Sequence, residues 1–230
     1  MTSTPFDANS PQIAASILSA DFSKLADEIA DVDRGGCDFL HLDVMDGHFV
    51  PNISFGPAVC AATRRVTKAF LDTHLMITDP VRYTPAFLEA GMDAITFHVE
   101  VVADVARAAQ EIRRLGCKRV GVTLNPATAS ETIWPALDHV DHVLVMSVVP
   151  GFSGQKFMPE ALTKCEAIKK RLRADQRLEI DGGIKADNIA AARDAGVDWF
   201  VVASAIFDQQ DRAAAIAELR MASGTTDKHG

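Results

Sequence analysis

Eight short apolar runs, at residues 13–18, 39–45, 69–76, 94–99, 119–124, 142–148, 177–181 and 199–204, alternate along this chain with longer stretches of helical character. Gly35, Gly91, Gly116 and Gly196 stand where helices end, and Pro57 and Pro159 stand where helices begin. Glycine suits the cap beyond a helix C-terminus, and proline is pre-set for a first helical turn. One strand followed by one helix implies parallel pairing through right-handed crossovers. Eight such units close best as a (β/α)8 barrel, with a doubly wound open sheet as the second choice. The chain has 230 residues, 48% of them hydrophobic, which is enough for one sizeable core. No Pro/Gly/Ser-rich linker divides it. The expectation is a single α/β barrel domain over residues 1–230, with its core at about 13–220, a short N-terminal leader and a frayed tail at 222–230.

Charge narrows the function classes. A formal net charge of −8, without a run of Lys or Arg, leaves no electrostatic footprint for nucleic acid or an anionic membrane surface. The first twelve residues lack a basic start and an apolar core, and no apolar run approaches the length of a membrane span. We read a cytoplasmic protein without nucleic-acid or membrane partners. Cys37, Cys60, Cys117 and Cys165 are scattered without C-x-x-C spacing, so they read as reduced core fillers rather than disulfides or zinc ligands.

Alternate strand residues point to opposite faces, and both faces of a barrel sheet are normally buried. In the second run Leu40, Leu42 and Val44 face the helices, while Phe39, His41, Asp43 and Met45 face inward. The third sets Leu71, Thr73 and Leu75 against Asp72, His74 and Met76, and the seventh sets Leu178 and Ile180 against Glu179 and Asp181. Polar groups thus enter the barrel from three strands, near the C-terminal ends where this fold carries its active sites. An unpaired buried carboxylate is costly, so these residues must pair with one another, bond to polar groups or bind a cation. His41, Asp43, His74 and Asp181 form a His2Asp2 set suited to a divalent metal such as zinc, iron, manganese or cobalt. Singly, each is equally a satisfied core residue.

Two carboxylates on separate strands with a cation between them suit removal of a proton from one face of a carbon and its return on the other. That chemistry is epimerisation beside a carbonyl, in which a Lewis acid stabilises charge developing on oxygen. Met45, Met76 and Met146 end strands on the same inward face, either as packing or as a water-poor cap over reacting carbons. Glycine-bearing loops follow the sixth strand (Pro150 to Gln155) and the seventh (Gly182, Gly183), and Ala203 and Ser204 follow the eighth. Such loops let backbone N–H groups approach a phosphate.

The segments HLDVMDGHFVPN (residues 41–52) and MSVVPGFSGQKF (146–157) closely resemble signatures of the ribulose-phosphate 3-epimerase family, and SILSADF (16–22) is similar to its opening strand and loop. The likeness spans roughly residues 13–206. It implies interconversion of D-ribulose 5-phosphate and D-xylulose 5-phosphate through a cis-enediolate, in the pentose phosphate pathway or, where one exists, the Calvin cycle. It also implies one divalent metal ion per subunit, zinc foremost, held by His41, Asp43, His74 and Asp181, with Asp43 and Asp181 as the acid/base pair. Ser16 and His74 would touch substrate, and Met45, Met76 and Met146 would line the intermediate. The phosphate would sit on Gly151, Phe152, Ser153, Gly154, Gly182, Gly183, Ala203 and Ser204. A homo-oligomer, dimer or hexamer, follows from the same resemblance.

Three positions depart from the family pattern: Ser153 and Ala203 where glycine is frequent, and Val149 where a polar residue is common. If Ser153 or Ala203 needs positive φ, the phosphate contact fails. His98 reads as a neighbour of the site rather than a ligand. His48 and Phe49 read equally as shields of the site or ordinary loop residues, and His139, His142 and His229 as structural or solvated. The rival activities are D-allulose 6-phosphate 3-epimerisation and a non-catalytic sugar-phosphate-binding barrel. Lyases and decarboxylases of similar barrels carry D-x-K-x-x-D, which residues 72–77 lack.

Overall fold

In the computed structural model, which describes residues 5–7 and 10–224, eight parallel strands pair in sequence order and β8 returns to β1, closing the barrel. The strands are β1 (Gln12–Ser16), β2 (Phe39–Met45), β3 (Leu71–Met76), β4 (Ala94–His98), β5 (Arg119–Leu124), β6 (His142–Met146), β7 (Arg177–Asp181) and β8 (Trp199–Val202). Helices α1 (Leu25–Arg34), α2 (Pro57–Val66), α3 (Pro80–Glu89), α4 (Val105–Arg114), α5 (Glu160–Lys169) and α6 (Ile189–Asp194) connect them, and α7 (Ser204–Phe207) and α8 (Arg212–Ala222) follow β8. Closure excludes the open sheet.

Some expected runs are shorter as strands. β1 stops at Ser16, whose hydroxyl accepts from Leu18 N–H and starts a 3-10 turn, and β8 stops at Val202, where Ala203 caps α7. After β5 the eightfold repeat lacks its α-helix. A 3-10 helix, Ser130–His139, stands there with Pro135 inside it, and proline has no N–H to continue an α-helical ladder.

Two apolar layers sandwich the sheet. Outward Leu40, Leu42, Val44, Leu71, Leu75, Leu178 and Ile180 join Ile29, Cys60, Ile112 and Ile168 of the helices in one core. Inside the barrel, the floor is aromatic: Phe39 and Phe6 lie 5.0 and 4.7 Å from Trp199, edge to face. Phe6 precedes β1, so the leader contributes a buried side chain, which the apolar-run reading missed because one isolated aromatic has no periodicity. Polar side chains fill the middle of the barrel, and Met45 and Met76 cover them with Val50.

Cys60, Cys117 and Cys165 are buried and Cys37 is half-buried, all as free thiols. The tail is ordered further than expected: α8 runs through Ala222, and the buried Ser223 donates its hydroxyl to the Arg220 carbonyl. Residues 225–230, including His229, lie outside the described residues. Among the described residues, no helix is long and apolar enough to cross a membrane.

Candidate active site and metal centre

Strand register assembles the site. Parallel pairing sets Ser16 beside His41, Asp43 beside His74, Met45 beside Met76, and Met146 beside Asp181. Inward alternation then carries one ligand atom from each of His41, Asp43, His74 and Asp181 to within 4.8 Å of one another. His74 Nδ1 lies 3.0 Å from Asp43 Oδ1 and 3.9 Å from Asp181 Oδ2. His41 Nε2 lies 3.3 Å from Asp43 Oδ1, at an angle that makes no hydrogen bond. Ser16 Oγ–H donates to Asp43 Oδ2 at 2.7 Å. A fully buried imidazole nitrogen without a partner, facing two carboxylates and a second imidazole, fits a divalent cation, because leaving such a donor orphaned in a dry interior is costly.

The same neighbours push the two aspartates apart. Burial works to raise the Asp43 carboxyl, but the charge of His41 and the nearness of the His41 and His74 imidazoles overcome it and hold Asp43 well below the usual carboxylate range. Asp181 lies well above that range, first through burial and then through the charge of Asp43. Burial lowers His74, whereas His41 is raised well above an ordinary imidazole because Asp43, Asp72 and Glu179 outweigh its burial.

Beneath this set lies a second polar layer. His41, Asp72 and Glu179 also bring ligand-type atoms within 4.8 Å, with His41 Nδ1 2.8 Å from Asp72 Oδ2 and 3.5 Å from Glu179 Oε1. His142 closes this layer: its Nε2 is 2.7 Å from Thr96 Oγ1 and 3.6 Å from Asp72 Oδ1. Burial and the Asp72 charge push Glu179 up to about 7. Of the structural and solvated readings of His142, the structural one holds. Its link to Asp72 was missed, although inward alternation on β6 pointed to it. His98 is buried beside His74, as expected of a neighbour, with burial pushing its ring down to about 4. Its ring contacts Phe49 at 4.5 Å, whereas His48 is exposed and His139 meets Gln110. Glu100, bonded to His98, was missed because it follows β4 in a short 3-10 turn with no period to read.

Above the cluster opens a cavity whose floor includes Asp43 and Asp181. All the substrate-contact positions expected from sequence line it except His74, which lies below. One wall is made by Gly151 to Gly154, Gly182, Gly183, Ala203 and Ser204. Gly182 and Gly183 have φ of 120° and 67°, and a Cβ on Gly183 would stand 2.6 Å from Phe157 N. Among the described residues no non-glycine has positive φ, so neither Ser153 nor Ala203 stands in the left-handed region that favours glycine. Ser153 Oγ meets Ser19 Oγ at 2.6 Å across the barrel mouth, Asn52 donates to the Gly151 carbonyl, and Val149 points largely to solvent.

Several solved structures share this architecture at identities that show the fold alone. KGPDC from Streptococcus mutans matches with a TM-score of 0.69 at 13% identity, covering 94% of this chain and 98% of its own. 3-Hexulose-6-phosphate synthase from Salmonella typhimurium matches at 0.66 and 18%, covering 92% and 98%. Sequence relatives are far closer. Ribulose-phosphate 3-epimerases of Mycobacterium tuberculosis, Bacillus subtilis and Escherichia coli are 47%, 45% and 44% identical, over 95%, 91% and 90% of this chain and 96%, 98% and 94% of theirs. A profile of the Ribulose-phosphate 3 epimerase family matches residues 12–207. With near-complete coverage on both sides and the motif-bearing strands inside the matched span, this chain belongs to the ribulose-phosphate 3-epimerase family.

Proposed function

We propose that this protein interconverts D-ribulose 5-phosphate and D-xylulose 5-phosphate by moving a proton at C3. The observation that carries the reading is the meeting of Asp43 and Asp181, from strands three places apart around the barrel, at one point under the cavity with their proton affinities driven in opposite directions. Paired carboxylates separated in this way mark a base and an acid. One aspartate takes the C3 proton, the other returns a proton to the opposite face, and the roles exchange with the direction of reaction. Ser16 holds one oxygen of Asp43, leaving its partner oxygen beside the histidines.

The residues His41, Asp43, His74 and Asp181 would hold a divalent cation, zinc foremost and iron, manganese or cobalt as the alternatives. Such a cation supplies Lewis-acid stabilisation of the charge that builds on substrate oxygen as the enediolate forms. Met45, Met76 and Met146 exclude water from the reacting carbons. The positive-φ glycines Gly151, Gly154, Gly182 and Gly183, with Phe152, Ser153, Ala203 and Ser204, would receive the phosphate on backbone N–H groups. A single barrel domain over residues 1–230, a cytoplasmic location and assembly as a dimer or hexamer belong to the same proposal and rest on the family resemblance.

Incubation of metal-loaded protein with D-ribulose 5-phosphate in D2O, followed by NMR at C3, tests it. Deuterium should enter C3 as xylulose 5-phosphate accumulates. Absence of exchange in protein shown to carry metal would refute the epimerase reading.

A further inference from the structure

His74 turns Nδ1 toward the cluster and Nε2 away from it, 2.8 Å from Nε2 of His98. The two ring centroids lie 5.0 Å apart with their planes 25° apart, edge to edge, and both rings are fully buried. On its far side His98 Nδ1 lies 3.1 Å from Glu100 Oε2. The other oxygen of Glu100 accepts from the backbone N–H of Asn125 at 2.7 Å and from Thr128 Oγ–H at 2.5 Å. Lys164 in turn ties down this loop by donating to the carbonyls of Asn125 and Pro126 at 3.1 and 2.6 Å.

The chain of bonds has only one consistent direction. An ionised carboxylate only accepts, so His98 carries its hydrogen on Nδ1 and presents a lone pair at Nε2. That lone pair must receive the hydrogen on His74 Nε2. A neutral imidazole has a single N–H, so the lone pair of His74 falls on Nδ1, beside Asp43 and Asp181. We propose that His98 and Glu100 are positioning residues: they fix the tautomer and the ring orientation of His74 so that Nδ1 is free for a divalent cation. Neither touches substrate or cation, and the inference rests on the metal-dependent reading above.

Glutamine at position 100 should reverse the chain. The Asn125 N–H is an obligate donor, so the amide oxygen of glutamine must face it, and the amide NH2 then faces His98 Nδ1. His98 would be forced to carry its hydrogen on Nε2, donor against donor at His74. The experiment is a zinc affinity measurement by chelator competition on the full chain, comparing the natural protein with Glu100→Gln and Thr128→Ala. Loss of an outer-sphere partner weakens metal binding by about 10–100-fold, and Glu100→Gln should fall in that range. Thr128→Ala keeps the Asn125 donor and should bind zinc as the natural protein does. Unchanged affinity in Glu100→Gln would overturn the proposal.

A second measurement needs no variant. Long-range 1H–15N NMR of the zinc-loaded natural protein should place the His98 hydrogen on Nδ1 and the His74 hydrogen on Nε2. Finding the His98 hydrogen on Nε2 would overturn the proposal even if Glu100→Gln fails to fold. Both readouts are taken without substrate. Inactivity toward ribulose 5-phosphate would therefore sink the proposed function alone, and an unaltered zinc affinity would sink the relay alone.

Discussion

Replacing Asp43 and Asp181 by asparagine, one at a time, should move the stability of chelator-treated protein in opposite directions at pH 7. Asp43 is a buried acceptor for Ser16 Oγ at 2.7 Å, with His74 Nδ1 at 3.0 Å and His41 Nε2 at 3.3 Å. A hydrogen bond to a charged group contributes about 1.5–3 kcal/mol. Asparagine keeps the Ser16 bond but loses the charge facing two imidazoles. The loss comes to about 3 kcal/mol, at the lower end of what breaking a buried pair costs. At about 2–4 °C per kcal/mol for a chain of this size, Tm should fall by roughly 6–12 °C. Asp181 is different: His74 Nδ1 stands 3.9 Å away, the charge of His41 offsets its burial only in part, and it faces Asp43. Removing its acidity relieves repulsion, so Tm should hold or rise by about 2–4 °C, equivalent to about 1 kcal/mol.

The pH dependence follows from the same directions. The carboxyl of Asp43 is depressed in the folded protein, so its contribution is full above the unfolded carboxylate pKa of about 3.9 and is lost as pH falls toward its lower folded value. Asp181 is raised, so above about pH 4 the unfolded chain releases a proton that the folded protein keeps, and the native state is penalised. The gain from Asp181→Asn should therefore vanish near pH 4. Thermal unfolding at pH 7 and pH 4 in chelator checks both. Equal destabilisation by the two substitutions at pH 7 would refute the opposed electrostatic environments.

Three further outcomes are expected. Either asparagine variant should lose at least about a hundredfold in turnover in both directions, the scale of a missing general acid or base, while one epimer still exchanges its C3 proton in D2O; near-native turnover in both would show that other acids do the work. Gly183→Ala puts a Cβ 2.6 Å from Phe157 N at a φ of 67°, so KM for the sugar phosphate should rise roughly tenfold, the value of one charge-assisted bond of about 1.4 kcal/mol, and an unchanged KM would remove this loop from the phosphate site. Gly121→Ala would drive a Cβ to 2.2 Å from His142 Nε2 and 2.3 Å from Thr96 Oγ1; it should cost about 1–3 kcal/mol of stability by overpacking, read as a lower urea midpoint.

Much of the site was legible because a strand has a strict period of two. Once residues 39–45, 71–76 and 177–181 were read as strands, His41, Asp43, His74 and Asp181 had to share the barrel interior, and the cost of burying them pointed to a cation. Residues that follow no period escaped. Phe6 closes the barrel floor from outside any strand, and Glu100 reaches His98 from a 3-10 turn. Pro135 was visible in the sequence, yet the eightfold repeat still led to an expected helix where a 3-10 helix forms.

By itself, the sequence determined the repeat, the inward face of each strand and hence the membership of the His2Asp2 set, since local periodicity and burial cost act residue by residue. Tertiary structure alone decided what depends on relative placement: the register that sets Asp43 beside His74, the negative φ that lets Ser153 and Ala203 keep side chains, and the one-way chain from Glu100 through His98 to His74. Those are distances between atoms far apart in the chain, and a carboxylate two residues beyond a strand acquires its meaning only when closure of the barrel brings an imidazole to its oxygen.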